Sequence, residues 1–326
     1  MNSIQYPEQV CHRKLPINFK QEDLCLFEGD LKHTNKEKSM LFLKNIDYLK
    51  DTLFDKRHFK FYDDYCFVLK KPLINLLARL IYYSHKSQTI DQAVWVTDNW
   101  SKEYFHWFAD VISRILIAEE YIKGHVIVLP HAHKKYKYIS ESLDLLGVSY
   151  TFLEKKNVHF NNLILTPKIG ITGNYDKVLI NQVRDRFIDS DKQPSKYIYI
   201  SRQKANRRKV TNEEEVIAVL LKHHFEIHFF EDYTLAQQIQ IMQDTKILMS
   251  IHGAGLTNML FMPKNAKIVE LRNETESRLN CFFSLASDLN HEYYYLTNTG
   301  TSTTTHTADI TVDVNKLETE LQKILN

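Results

Sequence analysis

Glycine is scarce in this chain: eight residues among 326, well below the roughly 7% of average proteins. Yet Gly253 and Gly255 stand one residue apart, and scarcity makes that pair informative. Cysteine is also sparse. Cys11, Cys25, Cys66 and Cys281 form neither a C-x-x-C pair nor a metal-ligand spacing, so free, mostly buried thiols of a reducing compartment are expected. No apolar run approaches the roughly 18 residues of a membrane span, and the opening MNSIQYPEQV lacks the basic and apolar regions of a signal peptide. A cytoplasmic protein is expected. Excess charge is missing too: a net charge of +2 and a pI near 8.1 argue against a dedicated nucleic-acid binder and permit only local basic patches.

What the chain has is length and alternation. At 326 residues it exceeds the size at which one hydrophobic core stops growing, so two domains are expected, and a 44% hydrophobic content suffices to fill both. Short runs rich in Val, Ile and aromatics at 66–69, 93–96, 126–129 and 148–153 read as strands, separated by helical patterns at 104–121 and 135–146. That alternation predicts a parallel sheet covered on both sides. The polar stretch DRFIDSDKQPS at 185–195 marks the domain boundary. Beyond it the pattern is cleaner: strands at 197–200, 225–230, 247–251, 267–271 and 293–296, with helices at 213–222, 235–244 and 280–289. Thr211 with Glu214 and Thr234 with Gln237 read as capping boxes. The domains are placed at 1–190, with 1–60 unassigned, and 191–313, followed by a terminal helix at 314–326.

The chemistry concentrates after the strand 247–251. His252 ends it, and Gly253 to Phe261 form a glycine turn and a short helix stopped by Pro263. Amides at the start of that helix have no partner inside it, and with the helix dipole they favour an anion, most naturally a phosphate. A dinucleotide fingerprint fits poorly, because Asn258 stands at the third glycine position and Glu270 arrives at the end of the very next strand. A purely structural turn is the other alternative, since glycines also end strands.

Three segments, in this order and spacing, resemble glycosyltransferase family 61, which includes plant xylosyltransferases, animal O-linked N-acetylglucosaminyltransferases and many bacterial polysaccharide enzymes. They are NWSKEYFHWFADVISR at 99–114, YISRQKANRR at 199–208, and 235–271 with Ala236, Gln238, HGAGLTN at 252–258 and Glu270. Ser113 stands where proline is common in the family. The resemblance implies an α/β, GT-B fold, two Rossmann-like domains facing each other across a cleft, and an inverting transfer from a nucleotide-sugar donor. It also implies a saccharide or glycolipid acceptor in surface polysaccharide, capsule or lipopolysaccharide synthesis, with no metal and no other cofactor. The alternatives are a nucleotide-sugar epimerase or hydrolase of the same form, and a non-catalytic nucleotide-sugar-binding scaffold.

Roles follow from the chemistry of that reaction. Ser201, Arg202, Arg207 and Arg208 lie just past a strand, and bidentate guanidinium contacts suit a leaving diphosphate; a solvated basic loop is the bland alternative. His252 with the amides of Gly253, Ala254, Gly255 and Leu256 completes the phosphate cradle, and Thr257 and Asn258 add hydrogen bonds. Glu270, as a strand-end carboxylate, is assigned two ribose hydroxyls or plain exposure. His106 is the candidate base, oriented by Asp110 four residues on; otherwise it is a core histidine among Phe105, Trp107 and Phe108, where Trp107 is assigned to packing. Asp189-Ser190-Asp191 has the D-x-D form but reads as a solvated loop. His131 and His133, beside Lys134, Lys135 and Lys137, lack a third zinc ligand. Their patch offers contact with an anionic saccharide or with lipid phosphate at the inner face of a membrane. Oligomeric state is left open.

Overall fold

The structure, a computed structural model, describes residues 2–170, 173–189, 192–274, 279–303 and 307–325. It divides into two compact units, Met1–Gln9 with Asn35–Thr172, and Val10–Thr34 with Gly173–Asn326. The expected boundary at 190/191 and two residues of the D-x-D run, Ser190 and Asp191, lie outside the described residues. The division falls earlier, and residues 10–34 belong with the second unit.

The first unit is a mixed sheet. Strands run in the order Lys60–Phe61, Thr52–Asp55, Lys38–Leu49, Asn157–Leu165, Gln88–Trp95, Val126–Pro130, Tyr150–Leu153, and Asn2–Tyr6 pairs along Lys38–Leu49. Gln88–Trp95, Val126–Pro130 and Tyr150–Leu153 are parallel, as the alternation predicts. Asn157–Leu165 is parallel to Gln88–Trp95 but antiparallel to Lys38–Leu49, so the all-parallel expectation fails at this point. The expected strand at 66–69 is not one either: a helical turn, Asp63–Cys66, ends there with buried Cys66 pointing into the core. The helix predicted at 104–121 spans Tyr104–Ala118 and contains a π turn at Trp107–Val111.

The second unit matches its prediction closely. Phe225–His228, Lys196–Ile200, Thr245–Ile251, Lys267–Asn273 and Glu292–Gly300 are parallel neighbours in that order, and Ile310–Thr311 adds antiparallel at the edge. Residues alternate between two covered faces, as central parallel strands require. On one face Tyr199, Met249, Val269 and Leu271 pack with Val216 and Leu220 of helix Glu213–Lys222, and with Leu317, Leu321 and Ile324 of helix Val314–Leu325. Thr234 and Gln237 form the predicted capping box. Thr211 does not: Asn212 is the N-cap of helix Glu213–Lys222, and the Thr211 hydroxyl bonds the Ile310 carbonyl at 3.3 Å instead. Helix Lys177–Asp185, capped by Asp176, lies just ahead of the polar stretch read as a linker.

The segment Val10–Thr34 is built into this unit by buried contacts. Phe27 is fully buried edge-on to Phe283, Tyr293 and Tyr295. Arg13 holds Asp288 at 2.9 Å, both side chains essentially buried. All four cysteines are free thiols. No helix among the described residues is long and apolar enough to cross a membrane.

Burial also fixes an acid limit. It pushes the His133 and His291 imidazoles down to about 4, and His291 Nε2 donates to the Met259 carbonyl at 3.1 Å. Both folded values lie below the unfolded one of about 6.5, so this stability is full above pH 6.5 and is lost as pH falls toward 4. Urea unfolding at pH 7 and pH 5 should show a loss of roughly 2 kcal/mol per histidine, smaller in His291→Asn. A flat profile across that window would refute it.

Candidate functional site

Lys196–Ile200 and Thr245–Ile251 are central neighbours in the second unit, and the chain leaves their carboxyl ends in opposite directions: first outward to Phe225–His228, later toward Lys267–Asn273. Open parallel sheets bind ligands at such a reversal. Ser201 and Arg202 follow one strand end, His252 and Gly253 the other. The structure brings them together: a Cβ built on Gly253 would lie 2.7 Å from Arg202 Nη1 and 2.9 Å from its Cζ. The guanidinium therefore lies flat over the glycine. Its Nε and Nη2 donate to the carbonyls of Arg208 and Arg207 at 3.3 and 3.4 Å, which anchors the side chain under its own loop.

Charge in this loop is unbalanced. Burial lowers the Arg202 pKa, with Glu231 opposing and Arg207 adding to the effect. Burial, then Arg202 and Arg207, bring Arg208 down to about 10. None of the three arginines forms an ion pair with a carboxylate among the described residues. Guanidiniums that act on one another, with Glu231 and Glu270 near but not ion-paired to them among the described residues, have the chemistry to take an anion.

His252 is oriented from behind. Its Nδ1 bonds Glu270 Oε1, and Tyr293 donates to Glu270 Oε2 at 2.5 Å. Burial alone would raise the Glu270 pKa, but His252, then Arg272 and Tyr293, outweigh it and hold the carboxyl below its ordinary range. A carboxylate can only accept, so Nδ1 carries the proton. Glu270 is fully buried in the middle of Lys267–Asn273. Its expected ribose contact is thus corrected: it positions His252, and both of its oxygens are used.

Other assignments also change. Ser201 is fully buried and donates to Glu213 at 3.0 Å, so it braces the loop and offers no hydroxyl to a ligand. Ala254–Phe261 is a 3-10 helix, and the Leu256 amide is spent on the Gly253 carbonyl at 2.9 Å. By position, the amides of Gly253, Ala254 and Gly255 are the ones without a partner inside it. Asn258 is buried and turns back to the Gly255 carbonyl at 3.0 Å. Thr257 is fully buried, and its hydroxyl has no partner among the described residues.

The first unit holds a second constellation. His106 Nδ1 lies 2.8 Å from Asp110 Oδ2, across the start of the π turn, a helix irregularity frequent at functional sites. Lys168 Nζ reaches the same carboxylate oxygen at 2.8 Å and Asp98 at 3.8 Å, and Arg114 lies 3.9 Å from Asp98. Burial would raise Asp110, but Lys168 and then His106 prevail and keep it below the usual carboxylate range. Asp110 likewise can only accept from Nδ1, so Nε2 is the other ring nitrogen of His106, whose ring lies beside Trp100 with centroids 5.0 Å apart. Trp107 packs, as expected, fully buried with Nε1 on Ser142. Sequence reading missed Asp98 and Lys168. Asp98 sits past a strand's carboxyl end, a signal available in principle; Lys168 follows Asn157–Leu165, a strand not recognised.

The patch at His131–Lys135 is less open than its sequence suggests. His133 is buried, while His131 and Lys134 both face Glu154, at 3.1 and 3.3 Å. Among the described residues no group of three His, Cys, Asp or Glu side chains is placed to hold a metal.

Comparison with known proteins places these residues in context. The family model described as Glycosyltransferase 61 matches residues 104–269. The EGF domain-specific O-linked N-acetylglucosamine transferase of Drosophila melanogaster is 38% identical over 91 residues, 27% of this chain and 17% of that protein. The Mus musculus protein of the same name is 33% identical over 84 residues, 24% of this chain and 16% of its own length. The beta-1,2-xylosyltransferase XAX1 of Oryza sativa subsp. japonica is 25% identical over 215 residues, 57% of this chain and 38% of that protein. The matched part thus spans well under half of each of these relatives.

Proposed function

We infer, from the premise that this chain belongs to the glycosyltransferase 61 family, that it moves a sugar from a nucleotide-sugar donor to a saccharide or glycolipid acceptor with inversion at the anomeric carbon. The GT-B arrangement that the resemblance implies is part of this reading, as is a role in surface polysaccharide, capsule or lipopolysaccharide synthesis at the inner face of the membrane. The observation that carries it is the arginine loop: Arg202 laid over Gly253, with Arg207 and Arg208 beside it and no carboxylate paired to any of them among the described residues. A diphosphate has the charge and oxygen count to satisfy three guanidiniums and the three amides at the helix head.

In the reaction, the acceptor hydroxyl oxygen bonds to the anomeric carbon as the bond from that carbon to the diphosphate oxygen breaks. The hydroxyl proton goes to Nε2 of His106, and the electron pair leaves with the diphosphate. Arginine contacts strengthen as that negative charge develops, which is where they accelerate the step. Asp110 and Lys168 keep His106 in the tautomer that accepts a proton. No step requires a metal, since the guanidiniums supply the positive charge.

Titration calorimetry of the full chain with uridine and cytidine diphosphate tests the reading. Binding is expected, and Arg202→Ala should weaken it about tenfold to a hundredfold, the range for lost hydrogen bonds to a charged group. If no nucleoside diphosphate binds the unaltered protein, the reading falls.

A further inference from the structure

One surface of the first unit carries apolar side chains that folding does not need. Helix Leu73–Leu77 runs into the 3-10 helix Ala78–Ser84. Leu76 is buried and Leu80 partly so, giving the segment its inward face. The outward face is apolar as well: Leu73, Ile74 and Ile81 are 62%, 71% and 69% exposed, and Leu69 just ahead is 71% exposed. Only Asn75 and Arg79 interrupt these apolar positions, and so apolar an outward face is normally covered.

A second element extends this surface. Phe59, 62% exposed, caps the turn after Thr52–Asp55 with a φ of 48°, a left-handed backbone that an aromatic residue seldom adopts. The ring of Phe54 lies edge-on to both Phe59 and Tyr83, with centroids 5.4 and 6.4 Å apart, so turn and helix adjoin. Lysines surround them. Lys50 and Lys156 stand over the Tyr82 ring at 5.6 and 5.8 Å, and Lys56 stands over Tyr83 at 5.6 Å. Lys70, Lys71 and Lys86 flank the helix in sequence. Nearby acids are fewer and mostly engaged: Arg79 holds Asp51 at 2.9 Å, His58 holds Asp55 at 2.7 Å, and Asp47 accepts from Tyr83 and faces His159 at 2.7 Å, with Asp63 and Asp64 in the next helical turn.

We propose that this surface docks the protein on an anionic membrane, with Phe59, Leu73, Ile74 and Ile81 entering the boundary between headgroups and acyl chains and the lysines meeting lipid phosphates. Exposed apolar side chains within a lysine rim are what such an interface selects. A second copy of the chain fits less well, because two rims of one sign repel. The docking is independent of the glycosyltransferase reading, and either stands if the other fails.

Sedimentation of the full chain with vesicles tests it. Vesicles of phosphatidylcholine with phosphatidylglycerol should carry the protein down, those of phosphatidylcholine alone should not, and added salt should weaken the binding. Leu73→Glu with Ile74→Glu should lower partitioning more than about tenfold, and Lys70→Glu with Lys86→Glu by about fivefold per lysine or more. Both pairs are exposed, so melting temperatures should stay unchanged. A protein that remains in the supernatant with anionic vesicles at low salt, or double variants that bind as well as the parent, would overturn the proposal. So would a lipid-free dimer, seen by light scattering, that Ile74→Glu dissociates.

Discussion

Alanine at position 106 should lower sugar transfer by about two to four orders of magnitude, the usual contribution of a positioned acid–base group, while nucleoside diphosphate affinity stays within about twofold of the parent. The split follows from the placement of the groups. His106 lies with Asp110 and Lys168 in the first unit, whereas the arginines and the glycine turn lie in the second. Truncating the imidazole leaves the anion site intact, so the loss belongs to kcat and not to donor binding. Lys168→Met should act through the same histidine: Asp110, deprived of an ammonium 2.8 Å away, would titrate higher, and the acidic limb of the pH–rate profile should move with it. If His106→Ala retains near-normal turnover, the base is another group.

Local signals carried the second unit far and the first only part of the way. Strands of the second unit are largely apolar runs such as ILMSI and KIVEL, each flanked by a helical pattern, and such runs name themselves. Lys38–Leu49 and Asn157–Leu165 carry Lys44-Asn45 and Asn161-Asn162 at their centres, because one of their faces is partly open. Period and composition there resemble loop. The placement of residues 10–34 in the second unit rests on Phe27 and Arg13 meeting partners some 250 residues away in the chain, which no window reveals.

The candidate site divides in the same manner. That Ser201-Arg202 and His252-Gly253 follow strand ends was legible in the sequence, as was the four-residue spacing of His106 to Asp110. The state of their neighbours was not. Glu270 looks like a surface acid until the strand is seen to continue to Asn273 and Tyr293 to occupy its second oxygen. Ser201 looks like a ligand until Glu213, twelve residues on, takes its hydroxyl. Which polar atoms remain free is a property of packing.

The two glycines of the turn should separate function from packing. Gly253→Ala is expected to leave stability within about 0.5 kcal/mol of the parent and to weaken nucleoside diphosphate binding about tenfold or more. At φ 166° the backbone is extended and accepts alanine without strain. The new methyl would meet Arg202 Nη1 at 2.7 Å, at the far end of a flexible side chain. Among the described residues that side chain is tethered by long bonds of 3.3 and 3.4 Å to Arg208 and Arg207, so the guanidinium yields and the fold does not. Gly255→Ala meets a different obstacle: Ile200 Cγ2 at 3.1 Å, in the buried wall of the neighbouring strand. Overpacking of that kind costs about 1 kcal/mol or more of stability, with a smaller effect on affinity. Denaturation and calorimetry on the pair read the two effects separately. An alanine at 253 that binds uridine diphosphate as tightly as glycine would mean that the guanidinium over this residue does not hold phosphate.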